Sequence, residues 1–396
     1  MINILIADKL SPLAISELEK LGANITNEPT LAAEELPSRI SGFEVLVVRS
    51  TKVTSATIAA GKDLSLIVRA GAGVNTIDIS AASAKGIHVA NCPGKNKDAV
   101  AELAIGLLIA ADRRIVNAAS DLRQGKWMKK EYGKAEGLRG KTMGIIGLGA
   151  IGSTVAKLAK SLGMKVIAWS RSLTPEIAEE IGIGFCENLT QLVSKSDAVS
   201  VHLASNADTQ HLINAEFLNA MKDEAILINT SRGQIIDTQA LKAAIQQKGL
   251  KVALDVYENE PAAGEPDFAD TELAGMITGT PHIGASTNQA SEAIAMEAVR
   301  VIKSYRDTGT PVNAVNLRSG SDLDVNLVVR HFNKVGVLAN VLDKLKNDGI
   351  NVEEMNNTIF AGGEAAICLL KLDKRPKDIT MKRIMDNIHI IQLGIK

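Results

Sequence analysis

Aromatic side chains make up only 3% of this chain, too few to supply the stacking platforms that single-stranded nucleic acids need. The core must therefore be built from Ala, Val, Ile and Leu. Surplus charge is missing as well. The formal net charge is -1, which gives no field to attract nucleic acid or an anionic membrane. The three cysteines, Cys92, Cys186 and Cys368, are scattered and show neither metal nor redox spacing. They fit a reducing, cytoplasmic setting. Long hydrophobic runs are absent too. The longest, Ala99 to Ala111, is interrupted by Glu102. It is too short to span a bilayer and reads as a buried helix. The first residues, Met1 to Asp8, lack a basic region and a long apolar region. They read as a first strand, not a signal peptide.

What is present is an ordinary globular balance, 46% hydrophobic and 22% charged over 396 residues, long enough for two or three domains. The hydrophobic pattern predicts strands at 2–7, 43–48, 65–69 and 87–90, with helices at 11–22, 32–39, 54–60 and 78–84. That alternation is an α/β pattern. Cys92-Pro93-Gly94 breaks it, and a helix from Asp98 to Ala119 leads into a second α/β unit. Its strands, at 143–147, 165–169, 197–201, 225–228, 251–254 and 276–278, are nearly all apolar. Such runs suit parallel strands covered on both faces. A helix over 286–306 follows and stops at Gly309-Thr310-Pro311. After the polar stretch Arg318 to Asp322 comes strand, helix, strand, strand, helix, strand, from 325 to 395. This is the ferredoxin-like βαββαβ arrangement. Gly349 can close its first helix, and Gly362-Gly363 makes a hairpin turn.

The first apolar strand of the second unit ends in Gly147-x-Gly149-x-x-Gly152, and an amphipathic segment opens at once. Strand, glycine turn and helix together make a dinucleotide site. Gly147 permits the tight turn, Gly149 lets the backbone approach a pyrophosphate, and Gly152 lets helix and sheet pack closely. The helix start offers free N–H groups to the phosphates.

Three later stretches carry chemistry: Asn229-Thr-Ser-Arg232-Gly233, Asp255-Val-Tyr-Glu-Asn-Glu260-Pro261 and Thr280-Pro-His282-Ile-Gly284. Each follows an apolar run, so each lies at the carboxyl end of a strand, where open α/β sheets bind ligands. An arginine, a glutamate and a histidine can then converge beside the cofactor. The trio suits hydride exchange between a nicotinamide and a 2-hydroxy acid. His282 takes or returns the alcohol proton. Glu260 orients the ring, with Glu258 as the alternative. Arg232 grips the substrate carboxylate and polarises its carbonyl oxygen.

These motifs, with Val48-Arg49-Ser50, Arg69-Ala-Gly-Ala-Gly-Val-Asn75 and Val100-Ala-Glu102, make the chain resemble the D-isomer-specific 2-hydroxyacid dehydrogenases over nearly its whole length. The resemblance implies that Arg232, Glu260 and His282 are catalytic. It implies a Rossmann-type doubly wound cofactor domain at 96–282. A flavodoxin-like substrate domain is then split between 1–95 and 283–311. A linker would occupy 312–322, and a regulatory module of the ACT type 323–396. The implied cofactor contacts are Gly147, Gly149, Ala150, Ile151 and Gly152 at the turn, with His202, Thr230 and Asp255 at later strand ends. Asp255 would hold the nicotinamide carboxamide.

Arg49 and Lys52, with Lys129 and Lys130, are candidates for a substrate phosphate, plain surface lysine being the alternative for the latter two. Relatives with a second basic residue two positions after the arginine differ from this chain, which has Thr51. Gly71, Ala72 and Asn75 are expected to offer donors to the substrate carboxylate. In serine-regulated relatives, positions matching His331, Asn333 and Asn351 contact L-serine, and neutral amide and imidazole groups suit a zwitterion. An empty dimerisation module is the alternative. The second strand ends in Ser170-Arg171, not in the acidic residue that binds ribose hydroxyls. The expectation is NAD, with NADP open. The runner-up is an NADPH-dependent reduction of glyoxylate or hydroxypyruvate. A non-catalytic NAD sensor is a third reading, which the intact acid–base pair opposes. No metal is expected. A homo-oligomer is, with helix 98–111 as a candidate dimer surface unless it packs in the core.

Overall fold

The computed structural model describes residues 2–261, 267–318 and 325–396. The chain forms two compact units, Met1–Asn316 and Leu317–Lys396.

The first unit holds two sheets whose pairings are all parallel. One contains β1 (Asn3–Ile6), β2 (Asn24–Asn27), β3 (Val45–Val48), β4 (Leu66–Arg69) and β5 (His88–Asn91), in the order β2-β1-β3-β4-β5. That is the flavodoxin-like order. The other contains β6 (Thr142–Ile146), β7 (Lys165–Trp169), β8 (Gly184–Phe185), β9 (Ala198–Val201), β10 (Ile226–Asn229), β11 (Lys251–Leu254) and β12 (Thr278–Gly279). Its order, β12-β11-β10-β9-β6-β7-β8, reverses between β6 and β9, as a Rossmann sheet does. β3, β9 and β10 are buried at every residue, because helices cover both faces. That is why these strands are uniformly apolar, not alternating.

The second unit carries β13 (Val325–Phe332), β14 (Val352–Ile359), β15 (Ala365–Leu372) and β16 (Ile390–Ile395), antiparallel in the order β14-β15-β13-β16. Helices Val337–Asn347 and Asp378–Met385 complete the βαββαβ arrangement. Gly349 (φ 64°) ends the first of them, and Gly362 and Gly363 (φ 92° and 78°) turn the hairpin, conformations that glycine adopts without a side-chain clash.

Several expectations change in detail. The single helix over 98–119 is two, Lys97–Arg113 and Ile115–Arg123, because Arg114 takes the left-handed conformation at φ 51°. Its guanidinium is held by Glu131 at 2.6 Å and lies over the Tyr132 ring. The apolar side of Lys97–Arg113, including Ala101, Ala104, Leu107 and Leu108, packs into the core of the second sheet. That face is core, not a dimer surface. The helix expected over 32–39 shrinks to Leu36–Arg39, and two short edge strands, β2 and β8, had no apolar signal to find them. The linker starts later than 312. Ala314 bridges Ala90, and Val315 N–H donates to the Val89 carbonyl at 2.8 Å. Residues 319–322 of the expected linker lie outside the described residues. Among the described residues no helix is long and apolar enough to cross a membrane.

Leu108 is fully buried between that helix and the second sheet. Leu108→Ala should lower unfolding stability by about 2–5 kcal/mol, cavity term included. Urea unfolding followed by circular dichroism measures it. A change near zero would mean the helix does not pack there.

Candidate active site

β10, β11 and β12 are neighbours in one parallel sheet, so their carboxyl ends deliver three loops side by side. The first brings Arg232, the second Glu260 and the third His282. His282 Nδ1 meets Glu260 Oε2 at 2.8 Å, and the other carboxylate oxygen accepts from Tyr257 N–H at 3.1 Å. Glu260 is therefore the orienter. Glu258 instead pairs with His211 Nε2 at 2.6 Å and accepts from Thr238 N–H at 3.1 Å.

Asp255 fixes the third loop. Its carboxylate, on a residue only 1% exposed, accepts from Thr280 Oγ1 at 2.7 Å and from the N–H groups of Ile283 and Gly284 at 2.8 Å each. Its backbone carbonyl accepts from His282 N–H at 2.8 Å. His282 sits between these anchors at φ 52°. A carboxylate offers about four acceptor positions, so beside these three protein donors Asp255 keeps one for a further N–H. In this structure it seats the histidine.

The electrostatics follow from the geometry. The Glu260 hydrogen bond and charge outweigh burial and raise the His282 imidazole above its ordinary range. Burial works to raise the Glu260 carboxyl, but His282, the Tyr257 N–H and Arg232 together hold it below its ordinary range. The Arg232 guanidinium is depressed by burial, with Glu260 opposing. Arg232 Nη1 donates to the Ser231 carbonyl at 2.6 Å, while a side chain on Gly73 would collide with Nη2. Arg232 thus reaches from the second sheet to the loop that follows β4 of the first.

Those two loops wall a cavity of about 460 Å³. Ala72, Asn75, Ile151, His202, Thr230, Arg232, Asp255 and His282 all line it. Four buried polar atoms in its wall lack partners among the described residues: Arg69 Nε, Asn96 Oδ1, His202 Nδ1 and Thr230 Oγ1. Burial pushes the His202 imidazole down to about 4, so it is neutral, and its Nε2 contacts Ser200 Oγ at 2.8 Å. Such orphaned groups are what a polar ligand would satisfy. The glycine turn fits a dinucleotide as well. Gly147 turns at φ 89°, a side chain on Gly152 would strike the Gly147 carbonyl, and Gly149 has open space where a side chain would stand. The helix Ala150–Ser161 starts without a side-chain cap, so its N–H groups remain for phosphate. Ser170 and Arg171 follow β7, and Arg171 is exposed without an ion pair among the described residues.

Other expected residues separate. Gly71 packs against the Arg69 guanidinium. Arg49 lines a neighbouring cavity of about 450 Å³ with Lys9, Ser11 and Asn288, and its N–H is held by Asp8 at 2.7 Å. Lys52 is exposed. Lys129 and Lys130 sit on the short helix Lys129–Tyr132, where Lys129 lines a different depression beside Trp127. One protomer does not bring them to the cleft. Arg69 is the cleft cation that sequence reasoning missed. It was read as the last residue of a strand and the first of a matching stretch, with no role of its own, and an arginine closing an otherwise buried strand was the available signal. Burial depresses it, and Arg232 and Arg49 depress it further.

In the second unit, His331 is buried. Its Nε2 contacts Asn357 Oδ1 at 3.2 Å, and its Nδ1 contacts the Phe332 carbonyl at 2.8 Å. Asn333 Nδ2 donates to the Gly363 carbonyl at 2.9 Å. Asn351 is elsewhere. It precedes Val352, which pairs with Leu372, whereas His331 pairs with Ala366 at the other end of β15. At about 3.3 Å per residue along a strand, Asn351 cannot meet His331 within one copy. Asn357 is the side chain that His331 Nε2 meets instead.

The family model described as "D-isomer specific 2-hydroxyacid dehydrogenase, NAD binding domain" matches residues 105–302. Over 364 residues the chain is 36% identical to a D-3-phosphoglycerate dehydrogenase of Methanocaldococcus jannaschii, covering 91% of this chain and 68% of that one. It is 41% identical over 297 residues to a hydroxypyruvate reductase of Thermotoga maritima, covering 74% of this chain and 94% of the other. The crystal structure of an NAD+-bound 3-phosphoglycerate dehydrogenase from Entamoeba histolytica superposes with a TM-score of 0.66 at 28% identity, over 80% of this chain and 99% of that one. The chain spans 56% to 68% of the length of the first phosphoglycerate dehydrogenases it matches.

The couple has a direct test. His282 titrates above its ordinary range because of Glu260, so Glu260→Gln should bring its imidazole midpoint down toward or below that range. Nitrogen-15 NMR of the ring reads it. The raised imidazole also contributes stability that is complete below the unfolded-state midpoint and lost as pH rises through the folded one. That contribution is small because the side chain is half exposed. An unchanged midpoint in the variant would show that the two groups do not interact.

Proposed function

The chain belongs to the D-isomer-specific 2-hydroxyacid dehydrogenases, NAD-dependent oxidoreductases, and on that premise we propose that it oxidises D-3-phosphoglycerate to 3-phosphohydroxypyruvate, the entry to serine synthesis. The observation that carries the choice is a group of three arginines, two lining the cleft and one the neighbouring cavity. Arg49, Arg69 and Arg232 stand close enough for the other two to depress Arg69. None of the three forms an ion pair among the described residues. All three are half-buried, and cations held there with little counter-charge are costly, so a substrate bearing both carboxylate and phosphate would relieve that cost at two points. Lys9, beside Arg49, extends the same positive stretch.

In this reading Arg232 holds the carboxylate and the C2 oxygen, and the loop Gly71 to Asn75 adds donors. Bound NAD supplies the hydride acceptor. As hydride leaves C2, His282 takes the hydroxyl proton, and Glu260 stabilises the imidazolium that results. In the reverse direction His282 returns the proton. His202 and Thr230 face the cofactor side of the cleft. Residues 1–95 with 283–311 serve as the substrate domain and 96–282 as the cofactor domain.

The C-terminal unit acts as an ACT-type regulator that takes L-serine through His331 and Asn333. Because Asn351 lies at the far end of β14, it joins such a site only from a second copy. A homo-oligomer follows. Ile115, Val116, Leu122, Trp127 and Met128, all exposed on one stretch, give it an apolar surface, and they could place a partner's Lys129 and Lys130 near the phosphate. The enzyme works in the cytoplasm, where the three free, buried cysteines stay reduced.

A second reading, NADPH-dependent reduction of glyoxylate or hydroxypyruvate, is favoured by the hydroxypyruvate reductase similarity and by Arg171, which suits a 2′-phosphate. Steady-state assays with phosphohydroxypyruvate, hydroxypyruvate and glyoxylate, each with NADH and NADPH, decide between them. The expected best pair is phosphohydroxypyruvate with NADH. Arg69→Ala should cut kcat/KM for that substrate by about 30-fold or more, the scale of losing a charged contact, and change glyoxylate turnover far less. A tenfold preference for glyoxylate with NADPH would establish the second reading. Serine titrated into the same assay should slow the wild type and leave His331→Ala unaffected. No rate change and no calorimetric heat would remove the regulatory assignment.

A further inference from the structure

The helix Asn288–Thr308 buries a carboxylate that the hydride chemistry does not use. Glu297 is 5% exposed. It accepts from Arg300 Nη2 at 2.5 Å and Nε at 3.0 Å, from Asn313 Nδ2 at 2.8 Å and from Lys95 Nζ at 3.2 Å. One carboxylate thus joins three stretches of chain. Arg300 is on its own helix. Lys95 lies in Cys92–Asn96, the crossing from the first sheet to the second, and Asn96 at its end lines the cleft. Asn313 lies in the stretch that continues into the C-terminal unit.

That last stretch is fastened firmly. Asn313 is held at φ 60°, and its Nδ2 also donates to the Asn91 carbonyl at 3.3 Å. Asn316 Oδ1 accepts from Val89 N–H at 2.8 Å, and its Nδ2 donates to the Ile87 carbonyl at 2.8 Å. The outgoing chain therefore lies along β5, the strand whose end becomes the crossing. The Arg300 hydrogen bonds chiefly, with Asn313 and Lys95, hold the Glu297 carboxyl at about 2, so it stays charged at working pH.

We propose that Glu297 is a positioning residue, coupling the chain that leads to the C-terminal unit to the Cys92–Asn96 crossing and so to the placement of Asn96 in the cleft. The physical reason is the cost of leaving a buried charge short of donors. If Asn313 shifts, the carboxylate must re-form its bonds, and Lys95 moves with it. Packed networks of this kind switch between arrangements and do not stretch. The glycine turn and the helix behind it stand on the second sheet, so cofactor affinity is untouched. The rate effect rests on the dehydrogenase reading above; the coupling itself does not.

The test uses the full chain with Glu297→Gln, Asn313→Ala and the double variant. Hydrogen exchange of residues 89–97 by mass spectrometry should rise at least fivefold in each single variant, while the NADH dissociation constant by fluorescence stays within twofold. The kcat for reduction of phosphohydroxypyruvate should fall about tenfold, with the double variant no worse than Glu297→Gln alone, because linked residues are not additive. A merely structural role would lower Tm, raise exchange throughout the first unit and leave kcat at 25 °C unchanged. Unchanged exchange at 89–97, or additive losses in the double variant, would overturn the coupling. An inactive wild type would instead count against the dehydrogenase reading, and the exchange results would still decide the coupling.

Discussion

The carboxylate of Asp255 is the constraint on which the site depends. It is buried at the end of β11, and three donors from the loop Thr280–Gly284 converge on it. A buried carboxylate survives only when its oxygens are satisfied, and here they are satisfied by the loop that carries His282. The same requirement sets the histidine in a left-handed backbone conformation and turns Nδ1 toward Glu260. The His282–Glu260 couple is therefore a consequence of how one aspartate is kept from being an orphan.

The substrate side works by the opposite device. Among the described residues, polar atoms of Arg69, Asn96, His202 and Thr230 are buried without partners, and Arg69 and Arg232 form no ion pair. A fold tolerates a few such groups where a ligand completes them. The cavity is thus pre-organised for an anionic, polar guest, while the His282–Glu260 pair is complete without one. Arg232 touches both sides, because its guanidinium crosses to Gly73 on the loop from the other sheet.

Much of this was legible in the order of residues. Apolar runs at a parallel-strand length located every central strand of the two first-unit sheets, and the three chemical stretches each followed such a run. The glycine turn was legible because each glycine has a separate steric reason, and Gly152 is forced by the Gly147 carbonyl. The C-terminal βαββαβ pattern was legible from alternation and from glycines at its turns. The edge strands β2 and β8 were not, since an edge strand buries little and so needs no apolar signature. The break at Arg114 was not, because no glycine or proline marks it. It is stabilised by contacts to Glu131 and Tyr132 that come from further along the chain.

Sequence alone determined the parallel sheets, the dinucleotide turn and the choice of Arg232 and His282, since each depends on local order: a hydrophobic period, a strand end, a residue type. Only the tertiary structure decided that Glu260 and not Glu258 holds the histidine, that Arg69 joins the cleft, that Lys129 and Lys130 do not within one protomer, and that Asn351 lies at the other end of the sheet from His331. Those outcomes depend on which strands are neighbours and on where each strand starts. Strand order and register are set by packing between segments far apart in the chain, a property no single stretch of residues contains.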